Sequence, residues 1–153
     1  MEHSFAVSVE WTGNRGGGTS DYKAYSRDNV MRVEGKPGID GSAAKVFHGD
    51  PSRWNPEETL IAALSECHLL SYLYVAVRHG IVVESYADAA TGVLHTDGDG
   101  TGRFESVTLR PTVTISSGDP EVARRIHADA NALCFIAASV NFPVHHQPTI
   151  EVS

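Results

Sequence analysis

The chain has 153 residues, 41% of them hydrophobic, and a formal net charge of -7. That length and apolar content suit one domain, residues 1–153, with an ordinary core. The acidic balance excludes a basic nucleic-acid face, and no Lys/Arg run offers an anionic membrane a partner.

Phe5, Val7, Val9 and Trp11 alternate with polar residues, the period of a half-buried strand. Residues 12–19 are rich in glycine and predict a tight turn or mobile loop around Arg15. Short strands are expected near Ser20 to Ser26 and Val30 to Glu34, then a connecting loop from Lys36 to Arg53. Asn55 is placed to cap a helix, Pro56 suits its first position, and Glu57 and Glu58 complement its positive end. The helix runs through Leu60, Leu64, Cys67, Leu70, Tyr74 and Val77 to a stop at His79-Gly80. Ser65, Glu66, His68 and Ser71 interrupt its apolar run, so it predicts a buried helix rather than a membrane span. Ile81 to Thr96 and Phe104 to Ser116 read as an antiparallel pair joined by a glycine-rich tip. Asp119-Pro120 opens a second helix through Val122, Ile126, Ala130, Leu133 and Ala137, and Thr149 to Val152 closes as a strand. The order is βββ-α-ββ-α-β, an α+β fold.

The chain has two cysteines, Cys67 and Cys134, each in its own helix-like apolar segment. Nothing at the N-terminus resembles a signal peptide, and a cytoplasmic location is expected. In a reducing compartment a single cysteine pair points to catalysis, redox sensing or metal binding rather than a permanent crosslink. If the two helices pack together, the thiols can cycle between dithiol and disulfide. Two inert core thiols are the plain alternative. Adjacent pairs such as Cys67-His68 and His145-His146 point their side chains apart and lack the spacing of a zinc site, so no metal is expected. His68 is expected to be a core or interface histidine with a hydrogen-bond partner.

Asn55-Pro56-Glu57-Glu58 heading the helix of Cys67, a second helix carrying Cys134, and Arg15-Gly16-Gly17-Gly18-Thr19 near the start together resemble the OsmC/Ohr family of thiol-dependent hydroperoxide reductases. Where better-known branches have a proline after the second cysteine, this chain has Phe135, as in a less-studied branch. The resemblance implies an intertwined homodimer with central helices and outer sheets. It also implies a peroxidatic Cys67, a resolving Cys134, an active-site Arg15 and an accompanying Glu57. The substrate would be an organic hydroperoxide, the reductant an external dithiol of lipoyl or thioredoxin type, and no cofactor would be needed.

The chemistry suits those residue types. The thiolate is the nucleophile, a guanidinium favours it, and a carboxylate can hold that guanidinium in place. Ten residues of helix rise about 15 Å, so Glu57 cannot reach Cys67 along its own helix. If both serve one site, Glu57 comes from a second copy, which predicts a two-fold dimer. Glu57 could instead serve only the helix dipole, and Arg15 could be a solvated loop charge. Arg27, Arg32 and Arg53 are rivals for its role. Glu66, beside Cys67, would raise its pKa if it faced the thiol; the alternative is a place at a rim. A redox sensor, a small-ligand-binding dimer and a structural metal protein are the competing functions.

Overall fold

The alternating residues at the N-terminus yield a shorter strand than their period suggests: β1 is Ser8–Trp11. The computed structural model describes residues 1–153 and forms two compact units, Met1–Thr59 and Leu60–Ser153. In the first unit β1 pairs antiparallel with β2 (Asn29–Arg32), and β2 with β3 (Ile39–Gly41). The strand expected near Ser20 to Ser26 is a turn, joined to the sheet side by a bridge between Asn14 and Tyr25 and by bonds of Ser26 to Gly13 and Trp11. Arg27 explains this: its guanidinium donates to the carbonyls of Tyr22 and Tyr25, acceptors that a ladder would need. The expected loop from Lys36 to Arg53 contains β3 and a single 3-10 turn at Lys45–Phe47.

Helix α1, Pro56–Arg78, starts and stops where its sequence signals lie. The Asn55 side-chain oxygen accepts the Glu58 N–H at 2.8 Å, and Glu58 accepts the Asn55 N–H at 3.4 Å. This reciprocal box satisfies two of the orphan donors of the first turn. At the other end Gly80 takes a φ of 68°, which an L side chain adopts only with strain. The N–H of Gly80 then bonds the Val77 carbonyl and that of Ile81 the Ala76 carbonyl.

The second unit holds β4 (Val82–Asp88), β5 (Thr91–Thr96), β6 (Gly102–Leu109) and β7 (Pro111–Ser117). Each of the two long strands expected from sequence is therefore divided in two. Pro111 has no N–H for a ladder, and the break falls beside it. Asp88 holds this corner by accepting the Arg110 N–H at 2.6 Å on one oxygen and the Ser65 hydroxyl of α1 on the other. The halves separate into two three-stranded sheets, β4-β7-β9 and β5-β6-β8. Strands β8 (Val144–His146) and β9 (Thr149–Val152) join β6 and β7 in parallel. The second expected helix is broken as well, into α2 (Pro120–Arg125) and α3 (His127–Leu133), meeting at Ile126.

Tyr72, Val75, Ala76, Ile81, Val113, Ile115, Ala123, Ile126 and Ala130 form one buried cluster, and Leu64, Val107 and Leu109 a second. Between α1, α3 and β8 the interior is aromatic and polar. His68 and His127 are fully buried, with His68 Nε2 3.0 Å from His127 Nδ1. The rings of His127 and Tyr72 stack at 4.1 Å, and those of His68 and His146 at 4.6 Å. Tyr72 fixes the inner end of this ladder by donating its hydroxyl to the Ala123 carbonyl at 3.0 Å. Burial holds these imidazoles neutral: His68 is pushed down to about 4 and His127 to about 3, and His146 is lowered in the same direction.

The core generates two expectations. Leu64→Ala should destabilise the fold by about 2–5 kcal/mol, because it opens a cavity where the surroundings relax only in part; urea unfolding measures it. For pH, folding lowers the histidine pKa values, so the unfolded chain binds more protons between about 6.5 and the folded values. Stability is then complete above about pH 6.5, declines as pH falls below that, and this contribution is gone once pH has passed through about 4 and 3. A melting temperature unchanged from pH 7 to pH 4.5 would contradict this.

Candidate active site

Cys67 lies in the middle of α1 and is half-buried. Its neighbours on either side face opposite environments: Glu66 is exposed, and His68 points into the core. Glu66 is thus a rim residue, and His68 is the hydrogen-bonded core histidine its setting predicts.

Cys134 departs from the sequence expectation in one respect: it is not inside a helix. It ends α3 with an extended backbone, φ -76° and ψ 108°. Its own N–H bonds the Asn131 carbonyl at 3.2 Å, while its carbonyl receives the Ala138 N–H at 3.0 Å. Its sulfur accepts the Ala137 N–H at 3.4 Å. Cys134 is thus the C-cap of α3, with its sulfur turned to the backbone of the segment that leads into the short turn Ala137–Ser139. A cysteine in a capping position reads as helical in sequence because its apolar neighbours keep a helical spacing.

The structure brings the two cysteines together. Both are unoxidised, and Cys134 lies beside Cys67. Burial, followed by the neighbouring Cys67 thiol, pushes the Cys134 thiol up to about 11. Cys134 therefore keeps its proton near neutrality. Cys67 opens on a recess of about 360 Å³ lined also by Leu70, Ser71, Tyr74, Leu133 and Phe135. The lining holds no Asp, Glu, Lys, Arg or His. Phe135, which stands where the resemblance led one to expect proline, forms part of this apolar wall.

Arg15 and Glu57 belong to the first unit, and neither is among the residues lining the thiol recess. Arg15 is exposed and borders a polar recess of about 260 Å³ with Lys23, Arg27, Asp28, His48 and Asp50. Its loop is a closed turn: the Asn14 side chain accepts the N–H groups of Gly16 and Gly18 at 2.9 and 3.0 Å. The backbone is pinned, so any reach belongs to the Arg15 side chain. Two of its rivals are committed elsewhere. Arg27 lies between the rings of Tyr22 and Tyr25, 4.4 and 4.3 Å from their centres. Arg53 faces Asp28, Asp40 and Asp50 at 3.7–3.9 Å. Glu57 carries a buried carboxylate oxygen, Oε2, that has no hydrogen-bond partner. An acid serving only the helix dipole would leave both oxygens in water, so this one is placed to receive a donor.

Sequence reasoning overlooked His127. Its signal was available, because residues 123, 127 and 130 share one helical face with the buried Ala123 and Ala130. Nε2 of His68 and Nδ1 of His127 face each other across their hydrogen bond, and the ring of His146 stacks on that of His68 at an inclination of 21°. That arrangement does not suit a metal ion, whose ligands must converge.

Over residues 49–149 the sequence matches the family described as OsmC-like protein. The uncharacterized protein YmaD of Bacillus subtilis is 22% identical over 150 residues, which cover 95% of this chain and 92% of that one. An OsmC-like protein of unknown function from Vibrio cholerae is 30% identical with a TM-score of 0.85, over 96% of this chain and 99% of that one. An organic hydroperoxide resistance protein from Elizabethkingia anophelis shares the fold with a TM-score of 0.69 at 17% identity, over 100% of each chain. With its family match spanning most of the chain and its α+β fold shared end to end, this protein belongs to the OsmC-like family.

Proposed function

We propose that this protein is a cytoplasmic, homodimeric peroxidase that reduces organic hydroperoxides through Cys67 and Cys134, without a cofactor. The observation that carries the reading is the proximity of the two thiols, with Cys67 in the wall of an apolar recess. A recess of about 360 Å³ suits a small organic molecule. Leu70, Tyr74, Leu133 and Phe135 offer its carbon skeleton an apolar surface.

The Cys67 thiolate attacks the terminal peroxide oxygen, the O–O bond breaks, and the alkoxide leaves as an alcohol after taking a proton. Cys67 is then a sulfenic acid. Cys134 attacks its sulfur and displaces water, forming the Cys67–Cys134 disulfide. An external dithiol of lipoyl or thioredoxin type restores both thiols by exchange.

Arg15 is assigned to favour the thiolate and polarise the peroxide, and Glu57 to hold that guanidinium. The unpartnered Oε2 of Glu57 supports this role. The helical rise of about 15 Å between Glu57 and Cys67 assigns the two to different copies in a shared site. Exposed apolar side chains support a dimer: Leu70 is 60%, Val77 78% and Phe135 82% exposed, and Val7, just before β1, and Val9 on it are 65% and 66%. So much uncovered apolar surface is the mark of an interface.

One observation favours a second reading, a peroxide sensor. A resolving thiol pushed up to about 11 attacks slowly near neutrality, which prolongs the sulfenic acid. Turnover separates the two, since an enzyme cycles with excess dithiol whereas a sensor oxidises once.

Cys67→Ser should abolish consumption of cumene hydroperoxide. Cys134→Ser should give one turnover and a sulfenic acid that dimedone traps. Multi-turnover activity in Cys67→Ser would refute the mechanism. Arg15→Ala should lower kcat/KM by about 10²-fold, as loss of an electrostatic donor does. An unchanged kcat/KM would remove Arg15 from the site.

A further inference from the structure

His68 and Cys67 are consecutive on α1, and His127 and Cys134 stand at opposite ends of α3. Two contacts therefore join the same pair of helices. One is the thiol pair, and the other is the His68–His127 hydrogen bond deeper in the core. The seven residues of α3 form a lever about 10 Å long, with the imidazole at one end and the resolving thiol at the other.

We infer that the His68–His127 pair is a positioning element for Cys134: while neutral it clamps α3 to α1 and holds the two sulfurs together, and on protonation it releases α3 and with it Cys134. The inference rests on the dithiol reading above and goes beyond it.

The bond needs one nitrogen that carries hydrogen facing one that does not. One added proton leaves a donor and an acceptor; two leave N–H facing N–H at a separation of 3.0 Å, with two charges in a dry core. The surroundings offer those charges little compensation. On β8, His146 stacks on His68, and His145 is next to it. From α2, Arg124 faces His127 and opposes its protonation. Tyr72 of α1 and Tyr86 of β4 are pushed well above neutral pH by burial and bring no negative charge. The carboxylate near the cluster is Asp88, which acts on His146 and is already bonded to Ser65 and the Arg110 N–H. Cys134 is protonated in this range. Opening α3 brings the imidazoles to water, where each takes a proton at about pH 6.5. The remaining unpartnered nitrogens, Nδ1 of His68 and Nε2 of His127, would gain partners in the same movement.

The test uses diamide, an azo oxidant that joins two thiols directly. One thiolate adds to the N=N bond, the second thiol displaces it, and the products are a disulfide and a hydrazine. No hydroperoxide is involved. Disulfide closure is followed by mass spectrometry at pH 7 and pH 5 in the wild type and in His68→Gln. The amide of glutamine can hydrogen-bond to His127 but cannot become a cation. Comparing the two proteins cancels the pH dependence of the thiols themselves. Between pH 7 and pH 5, closure in the wild type should slow at least tenfold more than in His68→Gln. Equal slowing overturns the inference. Should His68→Gln fail to fold, amide hydrogen exchange on the wild type decides. Corrected for intrinsic rates, α3 should lose protection before β7 as pH falls from 7 to 5, and simultaneous loss overturns the inference. A normal diamide difference without peroxidase activity sinks only the peroxidase reading. Thiols that diamide never joins at either pH overturn both.

Discussion

The approach of α3 to α1 governs the chemistry of this protein. It is fixed by a bond between two buried imidazoles, by the Tyr72 hydroxyl on a carbonyl of α2, and by aromatic stacking between them. These contacts are directional, whereas ordinary aliphatic packing tolerates sliding. A thiol pair needs such direction. A disulfide forms only when the sulfurs and their Cβ atoms meet in a narrow geometry. Polar groups in a dry interior are costly unless paired, and when paired they specify one arrangement among many. In this core the specified arrangement is the one that sets Cys134 beside Cys67.

The two thiols differ in environment, and in the proposed cycle that difference sets their order. Cys134 is buried, capped and holds its proton, so it is poorly suited to strike first. Cys67 is half-buried on a long, well-anchored helix and borders the recess where a substrate could lie. In the proposed cycle, positive charge reaches this apolar pocket from Arg15, positioned by Glu57. Within its own chain Glu57 has an oxygen that is buried yet unbonded. A carboxylate in that state and an uncovered apolar face on the same helix both suit a protein whose site is completed by a second copy.

Much of this was legible in the sequence, for local reasons. Asn55, Pro56, Glu58 and Gly80 act within a turn of where they stand, so α1 could be read to its ends. The resemblance likewise rested on residues at its head. What could not be read depends on distant partners. The corner that divides both long strands is made by Asp88 reaching Arg110 and Ser65, and no window around any one of them contains the others. The same holds for His68 and His127, 59 positions apart, whose pairing arises only once α1 and α3 meet. Cys134 was misplaced into a helix because α3 ends at Leu133 with no Gly or Pro to mark the stop, and the apolar spacing continues past it.

The most direct measurement is the intact mass, followed by peptide mapping, of the reduced protein after one equivalent of cumene hydroperoxide. Loss of two hydrogens, traced to a bond between Cys67 and Cys134 with cumyl alcohol released in equal amount, is the expected result. An unchanged mass, or oxygen accumulating on Cys67 while Cys134 stays reduced, would contradict a working thiol pair.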